Sequence, residues 1–93
     1  TGRITFYDPG SEIGACGKRY SSNQHIAALD PTLFTSARCF KSVRVSYNGK
    51  SVDVTIVSVS YGIPSNGLDL SRSAFKELAP LALGMFNATW VWL

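Results

Sequence analysis

The sequence predicts a mainly β fold, a small closed barrel of six or so short strands with two short helices, and three observations predict it. β-type runs dominate the chain, with apolar and polar residues alternating at period two. One of them is a clear hairpin, in which Val43, Val45 and Tyr47 precede Asn48-Gly49 and Val52, Val54 and Ile56 follow it. Finally, so many short strands in 93 residues need closure, because a closed sheet has no edge to invite aggregation.

Taken in order, Arg3-Ile4-Thr5-Phe6-Tyr7 reads as a strand stopped by Asp8-Pro9-Gly10, a turn in which Pro fixes φ and Gly accepts a positive φ. A polar, Gly-rich loop follows. His25 to Leu29 is a short apolar strand, and Asp30-Pro31 reads as an N-cap with Pro at the first helical position of a brief helix through Leu33-Phe34. That places Cys39 after a helical turn and before the hairpin. Val57 to Tyr61 continues the second hairpin strand towards a loop of Gly62, Pro64, Ser65, Asn66 and Gly67. Leu70, Ala74 and Leu78 then share one helical face, and Pro80 ends that run. A last strand runs from Asn87 to Leu93 with Trp90 and Trp92 on one face.

The bulk numbers bound the function. At 10.1 kDa the chain is one domain over residues 1–93, and its 45% hydrophobic and 16% charged content fits a folded globule. No apolar run approaches the roughly 20 residues of a membrane span. Net charge is +3, but the nine basic residues are scattered, which argues against nucleic acid as a partner and suits an acidic polysaccharide, an anionic surface or no partner in particular. With one histidine and no CxxC, no metal or cofactor site is expected.

Cys16 and Cys39 are the only cysteines, so one intramolecular disulfide is expected, worth about 3 kcal/mol by loop closure. A free, nucleophilic Cys16 is the alternative. The absence of a leader before Thr1 reads as a mature secreted chain or a cytosolic one. The sequon Asn87-Ala88-Thr89 is compatible with secretion, though it falls in a strand.

Leu68-Asp69-Leu70-Ser71 holds the most informative carboxylate. Just ahead of an apolar-periodic run, Asp69 is either a helix cap or a functional acid. Asp8 is the other candidate acid, and its local reading is to bond its own Asp-Pro-Gly backbone. His25 beside an apolar strand reads as packed or capping; a triad of Ser58, His25 and Asp69 can be sketched but has no nucleophile elbow. Tyr7, Tyr20, Tyr61, Trp90 and Trp92 form the pool of sugar-stacking aromatics. Trp90 reads as core, and Tyr7 and Tyr61 as the exposed members.

The order Thr5-Phe6-Tyr7-Asp8-Pro9-Gly10, Gly14-Ala15-Cys16-Gly17, a hairpin, Leu68-Asp69-Leu70-Ser71 with Ala74-Phe75, and Thr89-Trp90 resembles the rare-lipoprotein-A-like double-psi beta-barrel family. That group includes fungal loosenins, a Streptomyces papain inhibitor and, more distantly, expansins and barwin. The resemblance implies a six-stranded double-psi barrel with a shallow groove along which a glycan lies, with Asp69 at the groove acid. Hydrolytic relatives pair that acid with a second carboxyl, because glycoside cleavage needs both a proton donor and a base or nucleophile. Here the second family acid falls on Ser58, the two family cysteines on Ser60 and Ile63, and the family histidine on Gly67. The resemblance therefore implies a secreted, monomeric protein that binds cell-wall polysaccharide through Tyr7, Asp8, Tyr61 and Asp69 without cutting it. Its alternative is a protein-binding module such as a cysteine-protease inhibitor or secreted effector; residual cleavage through Asp8 and Asp69 is a third reading.

Overall fold

The computed structural model describes residues 2–8, 13–21 and 23–93. Six strands, β1 (Gly2–Tyr7), β2 (Ile26–Leu29), β3 (Ser42–Tyr47), β4 (Lys50–Val59), β5 (Leu68–Ser71) and β6 (Phe86–Trp92), close into a barrel in the order β1-β5-β2-β4-β3-β6. The pairs β1/β5 and β2/β4 run parallel and the others antiparallel, the double-psi arrangement that the motif order implies.

Alternation decides what faces inward. Ile4, Ala27, Leu29, Val43, Val45, Val54, Ile56, Leu68 and Leu70 are almost fully buried and make the barrel interior. The predicted hairpin is present, with Asn48 at φ 53° and Gly49 at φ 81°, the two positive values that a type I′ turn requires. The helix α1 (Arg72–Lys76) closes one end of the barrel, where Phe75 meets Phe6 edge-on at 4.9 Å and Phe86 at 5.1 Å. At the other end Trp90 and Trp92 pack edge to face at 5.4 Å, half-buried at the rim, so Trp90 is a rim residue where a core position was expected. Its indole N–H donates to the Asn66 carbonyl at 2.8 Å.

Three local expectations are corrected. Residues 31–33 form a turn, and among the described residues the only helical geometry before β3 is a 3₁₀ turn at Ser36–Arg38. Asp30 does cap, but for a turn and a crossing loop: fully buried, its Oδ1 accepts from the Thr32 and Leu33 N–H groups and from the Thr32 hydroxyl, and its Oδ2 accepts from the Asn66 N–H at 2.7 Å. Asp69 is no cap. It lies within β5, and Ser71 holds the N-cap position of α1 with its hydroxyl turned to the Gln24 carbonyl at 2.6 Å. Proximity in sequence misled here because the strand runs directly into the helix. The turn expected at Asp8-Pro9-Gly10 lies mostly outside the described residues, since Pro9 and Gly10 are not among them.

Cys16 and Cys39 form the expected disulfide, with Cα atoms 5.6 Å apart. It fastens the loop of residues 13–20 to the segment leading into β3. The next residue, Phe40, has φ 65°, in the left-handed region that costs a side-chain-bearing residue about 1–2 kcal/mol.

Asp30→Asn tests the cap. Both carboxylate oxygens accept N–H bonds, so an amide must present an NH₂ to one donor; the variant is expected to lose about 2–3 kcal/mol in urea unfolding, and Asp30→Ala at least as much. Unchanged stability in both would show that the carboxylate holds nothing.

Candidate functional site

The site is built on the outer face of four neighbouring strands. Register aligns Thr5 of β1, Asp69 of β5, Ala28 of β2 and Ser58 of β4 in one row across the barrel wall. A register shift between Ala27 and Ala28 makes this possible: Ala27 pairs with Ile56 and Ala28 with Ser58, so Val57 is the extra residue of a bulge. Without the bulge Ser58 would face the interior. Strand spacing of about 4.8 Å puts Asp69 and Ser58 about 10 Å apart, with only the small Ala28 between them. The row is thus a shallow trough.

Asp69 is half-buried and held by its neighbours. The Thr5 hydroxyl donates to its Oδ1 at 2.8 Å, and the Ser60 side chain lies close enough to favour its charged form. Burial nevertheless lifts its carboxyl above the ordinary carboxylate range, the two hydroxyls offsetting only part of that cost. Next to it, burial first and the Asp69 charge second push the Tyr7 phenol up to about 12. At any physiological pH Tyr7 is therefore a hydrogen-bond donor, and it is half-buried rather than freely exposed as expected. Tyr61 is exposed as expected, at 81%.

The second carboxylate is engaged elsewhere. Arg72 Nε donates to Asp8 Oδ1 at 2.6 Å, and this bond holds the Asp8 carboxyl below its usual range. The Arg72 guanidinium lies 5.2 Å over the Phe6 ring, so Asp8 is tied to the start of α1. The turn-bonding role expected of Asp8 involves Pro9 and Gly10, which lie outside the described residues. Ser58 is occupied too: its hydroxyl accepts the Ala15 N–H at 3.1 Å. Gly14 makes that approach possible, since a Cβ there would sit 2.6 Å from the Val57 carbonyl. His25 is exposed, and among the described residues no hydrogen bond joins it to Ser58 or Asp69, so the sketched triad does not assemble.

Beside the row, Tyr7, Asp8, Lys18, Tyr20, Ile26 and Ser58 contribute to a cavity of about 80 Å³. It mixes two phenols, one ammonium and an apolar wall. Among the described residues no cluster of three His, Cys, Asp or Glu side chains is placed to hold a metal. No helix is long and apolar enough to cross a membrane. Sequence reasoning missed Thr5, Ala28 and Lys18 as neighbours of the site, and Tyr20, named in the aromatic pool, does lie beside it. Thr5 was signalled by its alternation with Ile4 and Phe6; the others depend on strand order.

Comparison with known proteins follows the same lines. The family model described as lytic transglycolase matches residues 1–90. The allergen Asp f 7 of Aspergillus fumigatus is 33% identical over 92% of this chain, and the papain inhibitor of Streptomyces mobaraensis is 35% identical over 97%. The chain spans about a third (33%) of the allergen and 68% of the inhibitor. Among solved structures, the Streptomyces papain inhibitor superposes with a TM-score of 0.90 at 31% identity, covering 100% of this chain and 92% of that one. A mutant expansin of Clavibacter michiganensis in complex with cellohexaose gives 0.89 at 22% identity, covering 99% of this chain and 48% of that one, a likeness of fold.

The carboxyl of Asp69 yields a pH signature. Raised in the folded chain, it makes the native state hold more protons than the unfolded one between the ordinary value of 3.8 and the raised value, so stability falls as pH rises through that window. Asp69→Asn keeps the acceptor for Thr5 and removes the charge. Its melting temperature is expected to match or exceed wild type by about 2–4 °C at neutral pH, with the gap closing below pH 3.8. A variant that melts well below wild type at neutral pH would make Asp69 a structural residue.

Proposed function

This chain belongs to the rare-lipoprotein-A-like double-psi beta-barrel family, and from that premise we propose that it is an extracellular protein that binds cell-wall polysaccharide along the Asp69 trough without cleaving it. One observation carries the reading: a half-buried, outward carboxylate kept in place by Thr5 although its ionisation costs stability, in a row that holds no second acid among the described residues. In this reading Asp69 accepts from sugar hydroxyls, Tyr7 donates to ring or glycosidic oxygens, Asp8 contributes its remaining acceptor sites, and Tyr61 offers its face to a pyranose.

The absence of cleavage follows from charge. Asp8, paired with Arg72, stays ionised and cannot give a proton to a leaving oxygen, and Ser58 offers neither a base nor a carboxylate nucleophile. An expansin of the same fold has been solved with cellohexaose, which supports a glycan as the type of ligand this barrel surface suits. The disulfide supports an oxidising compartment.

A second reading has its own support. A papain inhibitor is 35% identical over nearly the whole chain, so inhibition of a papain-like cysteine protease stands as the alternative activity of this barrel.

Retention on insoluble cellulose, chitin and peptidoglycan tests the first reading. Wild type is expected to be retained on at least one polymer, with Asp69→Asn and Tyr61→Ala each weakening retention about 3- to 10-fold, and no reducing ends or anhydro-sugars released. Absence of retention on all three removes the trough reading, and sugar release abolished by Asp69→Asn would replace binding with catalysis.

A further inference from the structure

The loop around the disulfide holds a feature the trough does not use. Phe40 sits at φ 65°, where glycine or asparagine would make the same turn with less strain, yet its ring is 45% exposed. Burial therefore does not compensate for the conformation. The residue is nevertheless fixed: Cys39 beside it is bonded to Cys16, and the Phe40 N–H donates to the Ile56 carbonyl at 2.7 Å. The Lys18 ammonium lies 5.0 Å from the ring centroid, on the loop that carries Cys16. Ile13, which shares the small cavity with Lys18, is 58% exposed. This is an aromatic ring presented to solvent on a cross-linked base, with a cation and a second apolar side chain nearby.

We propose that Phe40, with Lys18 and Ile13 around the Cys16–Cys39 bridge, is the surface that enters the active-site cleft of a papain-like cysteine protease; the proposal rests on the inhibitor reading above. The chemistry favours a protein cleft over a sugar. Lys18 lies against the ring, which competes with a pyranose stacking there, whereas a partly apolar cleft accepts a protruding ring by its edge and tip. The disulfide lowers the ordering cost of binding, because it fastens the Cys16 loop to the segment before β3. Aromatic residues, Phe among them, are also enriched at the cores of protein–protein interfaces.

Papain inhibition by the full chain tests this, with melting temperature measured for each variant. Wild type is expected to inhibit. Phe40→Gly should raise Ki about tenfold or more while melting at or above the wild-type temperature, because the left-handed strain is relieved. Lys18→Ala should raise Ki about threefold, and Lys50→Ala, at the β3–β4 hairpin, should leave it unchanged. Full inhibition by Phe40→Gly overturns the assignment of the surface and leaves the inhibitor reading standing; no inhibition by wild type overturns both. Should Phe40→Gly unfold, amide exchange of the wild-type complex decides: protection on residues 16–18 and 38–41 supports the surface, and protection confined to β1 and β5 overturns it.

Discussion

Two parallel strand pairs cannot be joined by tight hairpins, so this barrel needs long connections across its ends, and the buried carboxylate of Asp30 is what makes one such crossing possible. Crossing segments carry backbone N–H groups with no ladder to receive them. Asp30 accepts three of them, from Thr32, Leu33 and Asn66, while its own N–H donates to the Gly67 carbonyl. The end of β2 and the start of β5 are thereby fixed together. Around this point the backbone is too close for side chains: a Cβ on Gly2 would lie 1.7 Å from the Asn66 carbonyl, and one on Gly67 would lie 2.8 Å from that of Pro64. Ser71 does the matching work at the other end of the same two strands, accepting from Ile26 and donating to Gln24.

The trough inherits its geometry from those two fastenings. Asp69 lies midway along β5, between the Asp30 tie and Ser71, and its lateral position is set by pairing with Thr5 on one side and Ala28 on the other. The bulge at Val57 then brings Ser58 onto the same face. Relatives that carry an acid at that position would hold two carboxyls about 10 Å apart on this spacing, near the separation at which a water fits between them. Here the Ala15 N–H occupies the serine, and Asp8 answers to Arg72.

Much of this could be read in the sequence, for physical reasons that also mark where reading stopped. The hairpin at Asn48-Gly49 was legible because two positive φ angles leave few residue choices, and the inward sets of β1, β3 and β4 because period two is independent of partners. The disulfide followed from there being only two cysteines. Asp30 and Asp69 were harder. Each precedes an apolar or proline-led segment and so looks like a helix cap, but the acceptor groups of one reach a loop 36 residues away, and those of the other a hydroxyl 64 residues away. The ion pair of Asp8 with Arg72 was invisible for the same reason. Local composition registers a turn; it does not register which strand lies alongside.

The Thr5–Asp69 hydrogen bond, which joins residues 64 apart in sequence, also bears on how the molecule comes into being. The pairs of the β3–β4 hairpin lie close together along the chain, whereas those of β1 and β5 are 64 residues apart. Such non-local pairing carries a larger loop-closure cost than the hairpin does before any contact repays it. The row of Thr5, Asp69, Ala28 and Ser58 is thus complete only when strands from distant parts of the chain are paired.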